Sequence, residues 1–553
     1  MHRFSCLQEK LNMKSFSSDE NPSVKTVANS NKQLVVGTVI SDQETPTFET
    51  VRIKLKAGQD LKPGTLVRIP VMRNEQTILI GRIRSAYECN PNERVESVGV
   101  RDALKIPKMH PTEEHSTRIF RLAEADLIEE IFNREFVENG EKKIKTETRA
   151  PQNLPNSGAD VFIADVNEIV QTLGLEQDEN QGLFIGETTS GTISKIILKR
   201  QSVQRHFFIC GTTGSGKSYA MGVITEELVQ KHKLPVVFID TQDEYSELVK
   251  KLGGVVVEPG KDFSIRISSL TESELLDLLP EAMKKSPLQC DIVAKAFGEL
   301  QTKLTNEDMA KFTLDDVLAK IPEVSAELTA KEGDIPRVID AVQRRLGTLA
   351  KLKIFGHGVA DWRKFLYPCV TINCKKLTSS QLQSVATAVL RELQNLRLRN
   401  HIPPYVAVID EAHLFVPEGT SSPCKQIIRE GVRIGRHHGI CMVLLTQSPV
   451  DIDKSTIRQC NTRLVFALEP DQLDAIKGVK ADATDEMLRA LPKMPQGTCL
   501  LSGTYESVKH TIPVRIRKRN TEDSEGGKTP NIFEEMQEKW IKIIEELKTQ
   551  GGE

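Results

Sequence analysis

The chain has 553 residues, 39% hydrophobic and 27% charged, with 74 basic and 76 acidic side chains that leave a formal charge of −2. At roughly 100 to 200 residues per domain, this length calls for more than one folding unit. The balance excludes a disordered chain, a collagen-like repeat and a protein that coats nucleic acid by bulk charge, although a local basic channel stays open.

In chain order, residues 1–32 read as a tail without the continuous apolar stretch of a secretory signal. Gln33 to Ile40, Phe48 to Leu55, Thr65 to Val71 and Thr77 to Ile83 are short β-rich runs broken at Pro46, Gly58 and Pro63-Gly64, the spacing of a small barrel or sandwich over residues 33–115. The spacing of Ile119, Leu122, Ala123, Leu127, Ile128 and Ile131 predicts a helix over 116–138, within a helical connector 116–180 whose polar stretch Glu138 to Gly158 reads as a surface connection.

From residue 181 to 520 the pattern becomes α/β. Phe207 to Cys210, Val236 to Ile239, Val370 to Ile372, Val406 to Ile409, Met442 to Leu445 and Leu464 to Ala467 are continuous apolar runs, as strands covered on both faces require. A helical insertion is expected at about 269–365. The tail 521–553 carries Phe533, Met536, Trp540, Ile544 and Leu547 at the spacing of an amphipathic helix. No apolar run approaches the roughly 20 residues of a spanning helix, so the expected location is the cytoplasm, away from membrane. The ten cysteines contain no C-x-x-C pair and read as small buried hydrophobes.

Gly211-Thr212-Thr213-Gly214-Ser215-Gly216-Lys217-Ser218 matches G-x-x-x-x-G-K-[ST] directly after the run Phe207–Cys210. Glycines let consecutive N–H groups curl round an anion, and the following helix, beginning with Tyr219 in the same nucleotide-binding set, adds its dipole. Lys217 would reach the β/γ-phosphates of ATP and Ser218 would ligate Mg²⁺.

Hydrolysis also needs carboxylates at the end of a neighbouring strand. The run ending at Ile409 leads into Asp410-Glu411, where Asp410 would hold the metal and Glu411 would polarise the attacking water. The run ending at Ile239 leads into Asp240-Thr241-Gln242-Asp243-Glu244, so Glu244 is a second candidate beside the metal or water; a solvated helix start reads equally well there. Gln447, after Met442 to Leu445, is placed to sense the γ-phosphate or to cap its strand. In the segment Arg429 to Gly439, Arg436 and then Arg433 are candidates to stabilise phosphate charge from an adjacent subunit, against a reading as solvated helix arginines. Lys454, Arg458 and Arg463 are candidates for a pore, or for a solvated loop.

Taken together, Arg205 to Cys210 running into the P-loop, Asp240 to Tyr245, Val408 to His413, Gly435 to Ile440 and Leu445 to Pro449 resemble the HerA family of the HerA/FtsK group. Asp451 to Asp453, Gln459 to Arg463 and the region beginning near Val35-Val36-Gly37 add to the resemblance, which spans about 33–520. It implies an α/β fold with a RecA-like P-loop ATPase core, a small N-terminal β-barrel of the HAS type and a helical insertion. It further implies a homo-hexamer that moves on double-stranded DNA with ATP and Mg²⁺, working with a nuclease such as a NurA-like protein or with a sirtuin-type NAD-hydrolase effector, in end processing or antiphage defence. Two positions depart from the family pattern: Asp243 where a glycine is usual, and Ile434 where a glutamate is. Arg205 is a further candidate for a cross-subunit phosphate contact. An ATP-dependent scaffold that licenses a nuclease without movement is the alternative, and a secretion or conjugation ATPase is a third reading, weakened by the lack of an apolar span.

Overall fold

The computed structural model describes residues 34–41, 45–71, 77–89, 120–138, 141–264, 267–279, 281–306, 312–328, 335–350, 355, 362–420, 422–478 and 481–521. The 1–32 tail and the expected amphipathic helix near the C-terminus lie outside the described residues.

Seven strands form the first sheet: β1 (Val35–Ile40), β2 (Thr50–Leu55), β3 (Leu66–Pro70), β4 (Thr77–Cys89), β5 (Phe120–Glu138), β6 (Glu141–Arg149) and β7 (Asp160–Ile163). Their order is β2-β1-β7-β3-β4-β5-β6, and a further β2–β5 pairing closes six of them into a barrel, leaving β6 paired, among the described residues, to β5 alone. In β2, Val51, Ile53 and Leu55 alternate inward and pack with Val36, Ile69 and Leu79, so closure removes the unpaired edges that an open sheet would expose.

The helix expected over 116–138 is instead β5 from residue 120 onward, and the expected surface connection contains its hairpin partner β6. A bulge explains the misleading period. Ile80 pairs with Glu129 but Gly81 with Leu127, so Ile128 is an extra residue in β5. Before it, Ala123, Ala125 and Leu127 face the barrel interior; beyond it, Ile131 joins Leu66 and Ile80 in the core cluster shared with the ATPase sheet. One strand therefore buries both faces in succession, and its apolar residues blur from a period of two toward 3.6. The barrel thus runs from Val35 to Ile163, past the expected boundary at 115. Of the expected 116–180 connector, the helical part is Val166–Leu173, opened by an Asp165/Glu168 capping box.

The second sheet holds β8 (Gly182–Thr188), β9 (Lys195–Lys199), β10 (Phe207–Cys210), β11 (Val236–Asp240), β12 (Val255–Val257), β13 (Cys369–Asn373), β14 (Tyr405–Ile409), β15 (Ile440–Thr446), β16 (Thr462–Val465), β17 (Thr498–Gly503) and β18 (Ile512–Ile516). The order is β12-β13-β11-β14-β15-β10-β16-β17-β18-β8-β9, parallel from β12 to β16 and antiparallel beyond. β10, β11, β14 and β15 are buried at every position, the reason their sequences are continuous rather than alternating. Between β12 and β13 the described chain is mainly helical, with Pro287–Thr305, Leu314–Leu328 and Ile335–Ala350 packed through Phe297, Val317, Ile321, Val342 and Leu346.

Barrel and ATPase meet through buried charge. The Arg82 guanidinium, 3% exposed, donates to Asp482 Oδ2 at 3.0 Å, to the Asp482 carbonyl at 2.7 Å and to the Thr511 carbonyl at 3.0 Å. His510 bridges Asp482 at 2.9 Å and Glu129 at 3.2 Å, and Lys509 Nζ lies 3.5 Å from Glu129. Burial works against the charged Asp482, but the His510 hydrogen bond and the Arg82 charge outweigh it and hold the carboxyl well below its usual range. Burial likewise opposes charging of His510, and its bonds to Asp482 and Glu129 prevail, raising its pKa.

Candidate nucleotide site

The site grows from the C-terminal edge of the parallel strands, where side chains emerge from a buried sheet into a crevice. β10 ends at Cys210 and the chain turns at Gly211, whose φ is +157°. A Cβ on Gly211 would stand 2.6 Å from Phe466 Cβ and 2.7 Å from Ser215 Oγ, so no other residue fits. The loop is pinned on both sides: Gly211 N–H donates to the Thr446 carbonyl at 3.3 Å and Thr212 N–H to the Ala467 carbonyl at 2.8 Å. It then enters the helix Lys217–Glu226, which points its free N–H groups and positive dipole end back at the loop.

Lys217 folds across this loop, donating to the carbonyls of Gly211 at 2.8 Å and Thr212 at 3.1 Å. Burial pulls its pKa down, opposed by the charges of Glu411, Asp410 and Glu244. Those carboxylates come from two other strands. Asp410, which follows β14 and is 5% exposed, accepts from Thr241 Oγ1 at 3.2 Å. Burial first, then the charges of Glu411 and Glu244, push its carboxyl well above the usual range. The backbone of Glu411 is left-handed, φ +48°, a conformation that costs a non-glycine residue energy and is concentrated at functional sites. Its carboxylate accepts from Gln447 Nε2, and its Oε2 lies 3.4 Å from both the Gln447 N–H and His413 Nδ1. Gln447 Oε1 in turn accepts from Thr213 Oγ1 at 2.6 Å, tying the end of β15 to the P-loop.

Glu244 accepts from Ser218 Oγ. Its position is set by Asp240, at the end of β11, whose carboxylate accepts four successive backbone N–H groups, those of Gln242 at 3.2 Å, Asp243 at 2.8 Å, Glu244 at 3.1 Å and Tyr245 at 2.9 Å. The departure at Asp243 is conservative in geometry: its φ is +67°, which glycine takes freely and aspartate tolerates better than most residues.

The structure therefore gathers Gly211, Thr212, Thr213, Gly214, Ser215, Gly216, Lys217, Ser218, Glu244, Asp410, Glu411 and Gln447 at one edge. Tyr219 follows in the first helical turn, with its hydroxyl accepting from the Arg519 N–H at 2.9 Å. Arg436 is elsewhere. It sits exposed in the last turn of the helix Pro423–His438, which leads into the start of β15, and Arg205 sits just before the start of β10. Both lie at the N-terminal edge of the sheet, separated from the P-loop by about 13 Å of strand. Arg205 pairs with Glu506, and burial followed by the charge of Arg436 lowers its pKa. Arg433, Lys454 and Arg458 are exposed, whereas Arg463 is buried within β16.

Sequence reasoning missed His413 and Thr446. His413 Nδ1 lies 3.1 Å from Thr446 Oγ1, and the signal was its place two residues after Glu411, in the short turn Ala412–Leu414.

Nucleotide and Mg²⁺ fit this donor set. The loop and the buried Lys217 stand beside the carboxylates of Glu411, Asp410 and Glu244, which outnumber the one ammonium. Ser218 Oγ and the Asp410 carboxylate are oxygen donors of the kind Mg²⁺ takes alongside water and the substrate's phosphates. Among the described residues, no helix is long and apolar enough to cross a membrane.

Comparison with known proteins agrees with this geometry. Residues 183–393 match the family model described as the central domain of helicase HerA, and residues 368–516 match that of an AAA-like domain. The chain is 23% identical over 422 residues to the DNA double-strand break repair helicase HerA of Sulfurisphaera tokodaii, covering 73% of this chain and 81% of that one. It is 21% identical over 524 residues to a probable helicase of Methanocaldococcus jannaschii, covering 88% and 96%. Among solved structures, VirB4 of Thermoanaerobacter pseudethanolicus superposes with a TM-score of 0.50 at 15% identity, over 62% of this chain and 98% of that one, a likeness of fold. The HerA central-domain match over residues 183–393 and the helicase relatives aligned over most of its length make the chain similar to the HerA helicases, on a P-loop ATPase fold.

Proposed function

We propose that the protein is an ATP-hydrolysing ring motor that translocates on double-stranded DNA. The observation that carries this reading is the division of the site. The P-loop, Lys217, Ser218 and the carboxylates Glu244, Asp410 and Glu411 share one edge of the sheet, while Arg436 and Arg205 share the other. A single chain cannot bring both halves to one phosphate, but neighbouring copies in a closed ring can, six copies being the number the family resemblance implies.

In that arrangement Lys217 and the loop N–H groups would grip the β/γ-phosphates, and Ser218 and Asp410 would hold Mg²⁺, which would supply positive charge against the phosphates. Glu411 polarises the attacking water, steered by Gln447 and His413. Glu244 shares the Ser218 hydroxyl and so acts beside the metal. Arg436 of an adjacent copy stabilises the charge on the transferring phosphate. The relatives' names support DNA as the track, and exposed Lys454 and Arg458 are cations suited to its phosphates. A nuclease of the NurA-like kind or a NAD-hydrolase of the sirtuin type is the proposed effector, in end processing or antiphage defence, and the cytoplasm the proposed compartment.

The test is ATP turnover with and without duplex DNA. Wild-type turnover should rise with duplex and displace a protein roadblock, while Lys217→Ala and Glu411→Gln should lose on the order of a hundredfold or more. Unchanged turnover in both variants would remove the active site. ATP-dependent assembly with a nuclease, indifferent to DNA, would favour the scaffold instead.

A further inference from the structure

The strap that follows β18 is riveted to the P-loop helix. Glu226, 1% exposed at the end of that helix, accepts from Arg517 Nη1 at 3.0 Å, Asn520 N–H at 3.0 Å, Thr521 N–H at 2.8 Å and Thr521 Oγ1 at 2.6 Å. Arg517 Nη2 also reaches Glu227 Oε1 at 2.9 Å. The base of the strap is tied to the phosphate loop, since Ile516 N–H donates to the Gly497 carbonyl and Gly497 N–H to the Ser215 carbonyl, both at 2.9 Å.

Held in this way, Arg519 packs against the helix over Tyr219 and Gly222. Its guanidinium is 4.6 Å from the centroid of the Tyr219 ring, and a Cβ added to Gly222, one turn further on, would come within 2.9 Å of Arg519 Cδ and Nη1. Glycine at 222 is what admits the arginine. Tyr219 directly follows Ser218, so this cationic stack stands beside the phosphate grip. A buried carboxylate spending four hydrogen bonds on a five-residue strap is more than packing requires.

We propose that the Arg519–Tyr219 stack is the base-side platform of the nucleotide site, taking the purine ring of ATP against its planar face, and that Glu226 is the positioning residue that holds the strap in register. The platform rests on the nucleotide site proposed above and adds recognition of the base to recognition of the phosphates. Guanidinium and aromatic faces both stack on nucleobases.

Calorimetric binding of ATP and of inorganic tripolyphosphate to the full-length protein separates the two. Arg519→Ala should weaken ATP about tenfold while leaving tripolyphosphate unchanged. Arg519→Lys, which keeps the charge but not the plane, should restore only part of the loss. Glu226→Gln should weaken ATP selectively in the same sense, and Lys217→Ala should lose both ligands. Wild-type ATP affinity in Arg519→Ala would overturn the platform, as would an equal loss of ATP and tripolyphosphate, which would mean that the helix itself had moved. Wild-type protein that binds neither ligand would overturn the nucleotide site and the platform with it.

Discussion

Two clusters of buried charge are built on opposite logic. At the phosphate edge one ammonium, Lys217, faces the carboxylates of Asp410, Glu411 and Glu244, and burial, then the charges of Glu411 and Glu244, push Asp410 well above its usual range. At the junction of barrel and ATPase, Arg82, Lys509 and His510 interleave with Asp482 and Glu129, and Asp482 is held well below its usual range. Both clusters are largely out of water, yet one is balanced within the chain and the other is not. A balanced cluster fixes an interface; an unbalanced one stores repulsion that an incoming cation relieves.

The contrast is sharpest if the junction is broken. Arg82→Ala leaves Asp482 partly buried beside one fewer cation, and should cost about 3 kcal/mol in chemical denaturation of the full chain. A loss below measurement would mean that the junction is not held by its charges.

The opposite sign is expected at the phosphate edge. Asp410→Asn removes one of the crowded charges and should raise stability by about 1 kcal/mol while abolishing Mg²⁺-dependent turnover. If that variant melts earlier than wild type, the excess of negative charge is not a cost to the fold.

A smaller effect comes from pH. His510 has a raised folded pKa, so its contribution is complete below the unfolded value of about 6.5 and fades as pH rises through the folded value. Asp482 has a lowered folded pKa, so its contribution is complete above the unfolded value of about 3.9 and fades as pH falls from there. The stability difference between wild type and His510→Gln should therefore shrink as pH rises above about 6.5. A difference that is flat across that range would contradict the pairing.

The same contrast explains what could be read in advance. The phosphate edge was legible because its residues are local: the P-loop follows one buried run, Asp410 and Glu411 follow another, and Gln447 ends a third. A parallel sheet brings consecutive strand ends together, so short motifs sufficed. The junction joins residues as distant as Arg82 and Asp482, or Glu129 and His510, and nothing in their local spacing marks them. β5 misled for a related reason, since the extra residue at Ile128 turns its apolar positions from the barrel interior to the ATPase, a change of partner that only the paired strand β4 reveals. His413 went unnoticed because a histidine two places after Glu411 acquires meaning only when the turn folds it back beside Thr446.

The account stands or falls on whether one phosphate is served by two chains. Lys217→Ala and Arg436→Ala should each be inactive alone, and mixing them into shared assemblies should restore ATP turnover, because some interfaces then pair an intact P-loop with an intact arginine. Mixed assemblies that stay inactive at every ratio, or an Arg436→Ala protein as active as wild type, would contradict it.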